Sequence, residues 1–253
     1  MSETVLVEQR GPAQIITINR AHARNAVDPV TAAALKAAFL AGEENPEIAV
    51  HILTGADGHF CAGADLKAVS EGQRYEREGP MGPSWLSLTK PSIAAVEGHA
   101  VAGGLELAIM CDLRIAAQSA VFGVYCRRWG VPLIDGGTVR LPRLIGQSRA
   151  MDMILTGRPV DADEALSFGM ANRVVPDGTT LDAAVEMAEQ LATFPQTCMR
   201  MDRASAIEQW GLPIETALQR EAEYGRDSLR AGAADGAGRF ASGKGRSGDF
   251  SDI

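Results

Sequence analysis

Glu106 stands in AVAGGLELAIMCD, residues 100–112, as one acid in an otherwise apolar run just after a pair of glycines. If a helix starts at Gly103 or Gly104, residues 103 and 106 lie one turn apart and share a face. A free N–H at Gly103 and the carboxylate of Glu106 would then address one small molecule, the N–H holding a developing oxyanion and the carboxylate moving a proton beside it. The apolar neighbours would disfavour the charged carboxylate and raise its pKa toward neutrality. A plainer role is open to the same residue: an acid in a first helical turn answers the dipole and helps cap the orphan N–H groups.

A second stretch has matching properties. HFCAGADLK, residues 59–67, is a small-residue turn directly after the strand-like EIAVHILTG. Small residues at the C-terminal end of a strand let backbone N–H groups face a ligand, although an ordinary strand-to-helix turn has the same composition. Two such openings from neighbouring strands supply two donors to one oxygen, which is what an enolate needs. Other chemistries are not encoded here. GHAVAGG, residues 98–104, lacks the Lys-Ser or Lys-Thr of a phosphate loop and the G-x-G-x-x-G dinucleotide spacing, and no Ser sits in a G-x-S-x-G elbow.

The elements that must carry these residues read as an α/β core. TVLVEQ and AQIITIN form two strands around a turn at Gly11-Pro12, and EIAVHILTG, SIAAVEG, LRIAA and ANRVV are further strands. Asp28-Pro29 opens a helix with an Asp N-cap and Pro at its first position. Gln147 to Thr156 is helical, Asp161 to Glu164 is a capping box, Leu181 to Thr193 is amphipathic, and the chain after Pro195 is helical. Residues 70–84, polar and rich in Gly and Pro, read as a mobile surface segment. Strands alternating with helices predict parallel pairing.

Composition narrows the function. The 253 residues are 46% hydrophobic with a net charge of −8, which suits a full core and disfavours nucleic acid as a partner. The four cysteines, Cys61, Cys111, Cys126 and Cys198, form no C-x-x-C pair and read as reduced thiols of a cytoplasmic protein. No N-terminal signal pattern and no membrane-length apolar run are expected, so no membrane partner is either.

FCAGADLK followed by GHAVAGGLELAIMCDLRIAA resembles the crotonase, or enoyl-CoA hydratase/isomerase, superfamily. The likeness continues through NAVD, the FG at 122–123, GGTVRLPRLIG, AMDMILTGRPVDADEAL and GMANRVVP. It implies a crotonase-like spiral of ββα units over residues 1–194 and a C-terminal helical trimerisation region over 195–253, assembled as a homotrimer or a hexamer. It also implies an acyl-CoA substrate, no metal, and no cofactor beyond the coenzyme A of that substrate. By position, Ala64 and Gly103 match the two oxyanion-hole donors. Ala62, Asp65 and Leu66 match the CoA groove, and Arg24 and Ala26 match contacts to the nucleotide end.

The resemblance also exposes a departure. Family hydratases pair the glutamate matching Glu106 with a second one, whose place here is held by Cys126. A thiol titrates well above a carboxylate and replaces one poorly. Asp135, three residues before Thr138, stands near where family isomerases keep a catalytic Asp, and it is the candidate second proton carrier; a turn-forming Asp beside Gly136 is the other reading. Arg127 and Arg128 either lower the Cys126 thiol pKa or form surface ion pairs around a packed Cys. His59, His99 and Trp129 read as structural. The resulting expectation is enoyl-CoA hydration or double-bond isomerisation through an enolate. A non-catalytic acyl-CoA binder and a thioester hydrolase are the alternatives.

Overall fold

A computed structural model describes residues 3–248 and 250. Its first half alternates strands with helices: β1 Val5–Arg10, β2 Ala13–Ile18, α1 Pro29–Glu44, β3 Val50–Gly55, α2 Leu66–Ser70, β4 Ser92–Val96, β5 His99–Val101, α3 Gly103–Met110, β6 Leu113–Ala117 and β7 Val121–Gly123. Then follow α4 Gly137–Ile145, α5 Gln147–Thr156, β8 Val160–Asp161, α6 Ala162–Phe168, β9 Arg173–Val175, α7 Thr180–Thr193, α8 Gln196–Glu208, α9 Ile214–Ser228 and α10 Ala234–Ala241.

The main sheet runs β1-β2-β3-β4-β6-β9, antiparallel at β1–β2 and parallel from β2 onward. Its central strands are apolar along their whole length because both faces are covered, and the period of two decides which side each residue serves. Ile16, Ile18, Leu53, Ala94 and Val96 join the core beneath α1 and α3, where Leu35, Phe39, Leu105 and Ala108 meet them. Ile15, Ile52, Ile93 and Ala95 face the other way, onto Ala184, Met187 and Ala188 of α7. Asp28 caps α1 by accepting from the Thr31 N–H at 2.8 Å, and Asp161 caps α6 by accepting from the Glu164 N–H at 2.8 Å; the expected capping box is formed only in this half, because the Glu164 carboxylate is taken by Arg158 at 2.7 Å.

A second sheet, β5-β7-β8, is stacked beside the first. It has only three, three and two residues per strand. Residues 60–64 meet its β5 through the bridge Cys61↔Ala100 and, on the other side, Val27 through the bridge Val27↔Ala64. This parallel approach brings the turn after β3 against the turn between β5 and α3.

Part of the expected mobile segment 70–84 is firmly packed. Met81 and Ser84 are buried, and both hydrogen-bond to the carboxylate of Asp135. The correction has a simple cause: the polar composition of the stretch conceals GPMGPSW, whose apolar side chains close over the first turn of α3 and residues 134–135.

Candidate active site

Gly103 is the first residue of α3, and Ala102 before it adopts φ 54°, ψ −124°, an unusual conformation for a residue with a Cβ. That bend turns the chain from β5 into the helix and leaves the Gly103 N–H without an intrahelical acceptor. Gly63 lies directly against it: a Cβ at residue 63 would sit 2.9 Å from Gly103 N, and the glycine's φ of +96° excludes one anyway. Among the described residues, neither the Ala64 N–H nor the Gly103 N–H has a hydrogen-bond partner. Both residues line one cavity of about 640 Å³, together with Glu106, Cys126 and Asp135.

Glu106 is only 1% exposed. It does not cap its own helix. Its Oε1 accepts from the main-chain N–H of Asp135 at 2.9 Å and of Gly137 at 2.7 Å, across the cavity wall. Oε2 has no protein partner among the described residues. Burial raises the pKa to about 7, with the nearby Asp135 charge adding to the rise and the two N–H groups opposing it. The carboxyl is therefore divided between its acid and base forms near neutral pH, as a proton carrier requires.

Asp135 is buried too, and is not a local turn former. One carboxylate oxygen accepts from Met81 N–H at 2.9 Å and from the Ser84 hydroxyl, while its backbone holds Glu106. Burial pushes its pKa above the ordinary value. Arg140 donates to the Asp135 carbonyl at 2.9 Å and to the Ser84 carbonyl at 2.7 Å, clamping the loop.

Cys126 is 6% exposed and reaches the cavity from the short helical turn 125–129. Burial, reinforced by the charge of Glu106, raises its thiol pKa, which favours the packed Cys over the reactive thiol of the two readings. Among the described residues the neighbouring arginines form no ion pair, unlike the surface pairs of that reading. Arg127 donates to the Ile154 carbonyl at 3.0 Å, and Arg128 stacks 4.6 Å from the Tyr125 ring centroid.

Of the sequence-predicted groove residues, Arg24, Ala62 and Leu66 line the cavity, whereas Ala26 and Asp65 do not. The Ala26 carbonyl and Asp65 carboxylate both accept from Arg20, and Asp65 caps α2 through Lys67 N–H at 3.0 Å. These two brace the turn carrying Ala64. Conversely, Met81, Tyr75, His99 and Trp129 line the cavity although the sequence reading passed over them or left them as structural. The apolar Met and Trp amid GPMGPSW were the available signal for the Met81 side of the cavity.

The enoyl-CoA hydratase/isomerase family model matches residues 9–235. This chain belongs to the enoyl-CoA hydratase/isomerase family. An enoyl-CoA hydratase of Mycobacterium tuberculosis is 38% identical over 230 residues, covering 87% of this chain and 86% of that protein. A carnitinyl-CoA dehydratase of Salmonella paratyphi B is 41% identical over 197 residues, covering 76% and 75%. Among solved structures, an enoyl-CoA hydratase of Mycobacterium marinum superposes with a TM-score of 0.90 at 36% identity, covering 94% of this chain and 96% of the other. The crotonase fold expected from the sequence is thus the fold of this family member. No helix among the described residues is long and apolar enough to cross a membrane.

Proposed function

We propose that this family member moves a double bond in an acyl-CoA thioester, with Glu106 as the single proton shuttle. The observation that carries this reading is the Glu106 carboxyl, buried with a pKa of about 7 in the cavity that the two unpartnered N–H groups line, with a thiol at Cys126 where a second carboxylate would be needed and with Asp135, the other buried carboxyl there, held by Met81 and Ser84. In the proposed reaction the thioester oxygen of a 3-enoyl ester accepts from Ala64 and Gly103. Glu106 removes a proton from C2, and the electron pair passes into the dienolate, with its charge on that oxygen. The same carboxyl returns the proton to C4, leaving the double bond between C2 and C3. Removing one such donor typically costs about 10²–10³ in rate. The groove residues Arg24, Ala62 and Leu66 are assigned to the coenzyme A portion, and the working unit is a cytoplasmic homotrimer or hexamer.

Hydration is the second reading, favoured by the names of the relatives. It requires a base for water and an acid for C2; among the described residues the other carboxylates lining the cavity are Asp135 and Glu76, and Glu76 is paired with Lys36 at 2.7 Å. The two hydrogen bonds to one oxygen of Asp135 tie it to the segment around Met81, which supports a positioning role instead. Product analysis with trans-2-enoyl, 3-enoyl and dienoyl CoA esters decides between them. Conversion of the 3-enoyl to the 2-enoyl ester without 3-hydroxyacyl product supports isomerisation; rapid formation of 3-hydroxyacyl-CoA refutes it.

A further inference from the structure

The two proposed oxyanion donors are aimed by different means. The Gly103 N–H is fixed by the helix that it starts. Ala64 has no such element: residues 61–65 lie between β3 and α2 and meet their neighbours through isolated bridges. What holds the Ala64 N–H is one fully buried residue, Val27. Its N–H donates to the Gly63 carbonyl at 2.8 Å, and its carbonyl accepts from the Asp65 N–H at 2.8 Å. The peptides on both sides of Ala64 are thereby tied to the same residue. In a trans peptide the N–H points opposite to the carbonyl. The bond from Val27 to the Gly63 carbonyl therefore turns the Ala64 N–H away from Val27, toward the cavity that Ala64 lines. Arg20 steadies the Asp65 carboxylate at 2.9 Å, but neither of these two peptides.

The Val27 carbonyl has a second partner. The Tyr75 hydroxyl donates to it at 2.8 Å, with the Asp65 carbonyl 3.5 Å away. A carbonyl oxygen carries two lone pairs; here one serves the turn and the other serves the cavity wall. Tyr75 stands in residues 71–80, a stretch of that wall outside any helix or strand. Among the described residues, side chains of this stretch bond to the rest of the chain only at Tyr75 and through the pair of Glu76 with Lys36 at 2.7 Å. Burial, with the charges of Asp65 and Asp28 adding to it, pushes the Tyr75 phenol up to about 12. The hydroxyl thus keeps its proton and stays a donor.

We propose that Tyr75 is a positioning residue for the Ala64 donor: its hydroxyl locks the wall segment 71–80 onto the Val27 carbonyl and holds the turn 63–65 with that N–H aimed at the thioester oxygen. The inference rests on the oxyanion role given to Ala64 and Gly103 in the proposed function.

The test is infrared difference spectroscopy of butyryl-CoA, isotope-labelled at the thioester carbonyl and bound to the full chain, beside solvent deuterium uptake at C2 with saturating ester. Two aimed donors polarise the carbonyl, so its band should move to lower frequency on binding to wild type. In Tyr75→Phe, which keeps the ring, the band should return part of the way to its position in the free ester. The exchange rate should fall by about threefold to tenfold, with ester affinity held within about twofold. Lys36→Gln frees the same segment at its other tie and should leave band and exchange rate at their wild-type values. A Tyr75→Phe protein that loses only unfolding stability, with band and exchange unchanged, overturns the proposal and makes Tyr75 merely structural. An equal loss in Lys36→Gln also overturns it, because loosening of the wall would then suffice. A wild-type band that does not move on binding removes the oxyanion role itself, and the proposed function with it; a moved band that Tyr75→Phe leaves in place removes only the role of Tyr75.

Discussion

Glu106 is an ionisable group held where its charge is disfavoured, and two measurable consequences follow. A base acts in its ionised form, so the proton-abstraction rate should climb with pH through about 7 and level off above it. The stability effect has the opposite sense. The folded protein holds this proton more tightly than the unfolded chain, whose carboxyl titrates near its model value of 4.5, so stability falls as pH rises from there through the folded pKa. Glu106→Gln keeps an acceptor for the two N–H groups and removes that loss. Its unfolding free energy should exceed wild type at pH 8 by on the order of 3 kcal/mol, and the advantage should vanish near pH 4, as chemical denaturation would show. Cys126 makes a different prediction. Its buried, raised thiol should resist alkylation in the folded protein at neutral pH, and Cys126→Glu should restore a second carboxylate. Hydration of a trans-2-enoyl ester should then rise by on the order of 10²; an unchanged hydration rate in a folded variant would contradict the single-shuttle account.

At the scale of elements, the site depends on two turns pressed together. A Cβ at Gly104 would lie 2.1 Å from the Cys61 carbonyl oxygen, and one at Gly63 would press on Ala102 and Gly103 N. Gly63→Ala should therefore misplace both N–H donors and cost about 1–3 kcal/mol in backbone strain. Steady-state kinetics should show kcat falling more than KM rises; an unchanged kcat would separate this turn from the chemistry. The long strands and the capped helices were legible because their signals are local: apolar runs in β2, β3, β4 and β6, and Asp28-Pro29 and Asp161 at helix starts. The small sheet was not, because strands of two or three residues carry no periodicity. The ligands of Glu106 were hidden for another reason. They are backbone N–H groups of Asp135 and Gly137, which any residue type except proline would provide. Met81 and Ser84 were obscured by the polar sequence around them, although their positions fix Asp135.

For the whole molecule, composition alone gave only an acidic chain with enough apolar residues for a core, the alternation of strands and helices gave the α/β class, and the family resemblance carried the particular fold. The C-terminal helices leave Trp210, Ile214, Leu218 and Leu229 exposed in the single chain. Such residues on adjoining helices are suited to burial against further copies, and light scattering should return three or six times the chain mass. Charged substitutions at Ile214 and Leu218 should lower that mass, whereas a wild-type monomer would refute the assembly.

Solvent deuterium uptake at C2 of a saturated acyl-CoA ester tests the central claim most directly, because it needs only the two N–H donors and one base. Wild type should exchange this position, with a rate that rises through pH 7, and Glu106→Gln should lower it by at least about 10² while still binding the ester. Exchange that persists undiminished in Glu106→Gln, or that is absent from wild type with bound ester, would contradict the account.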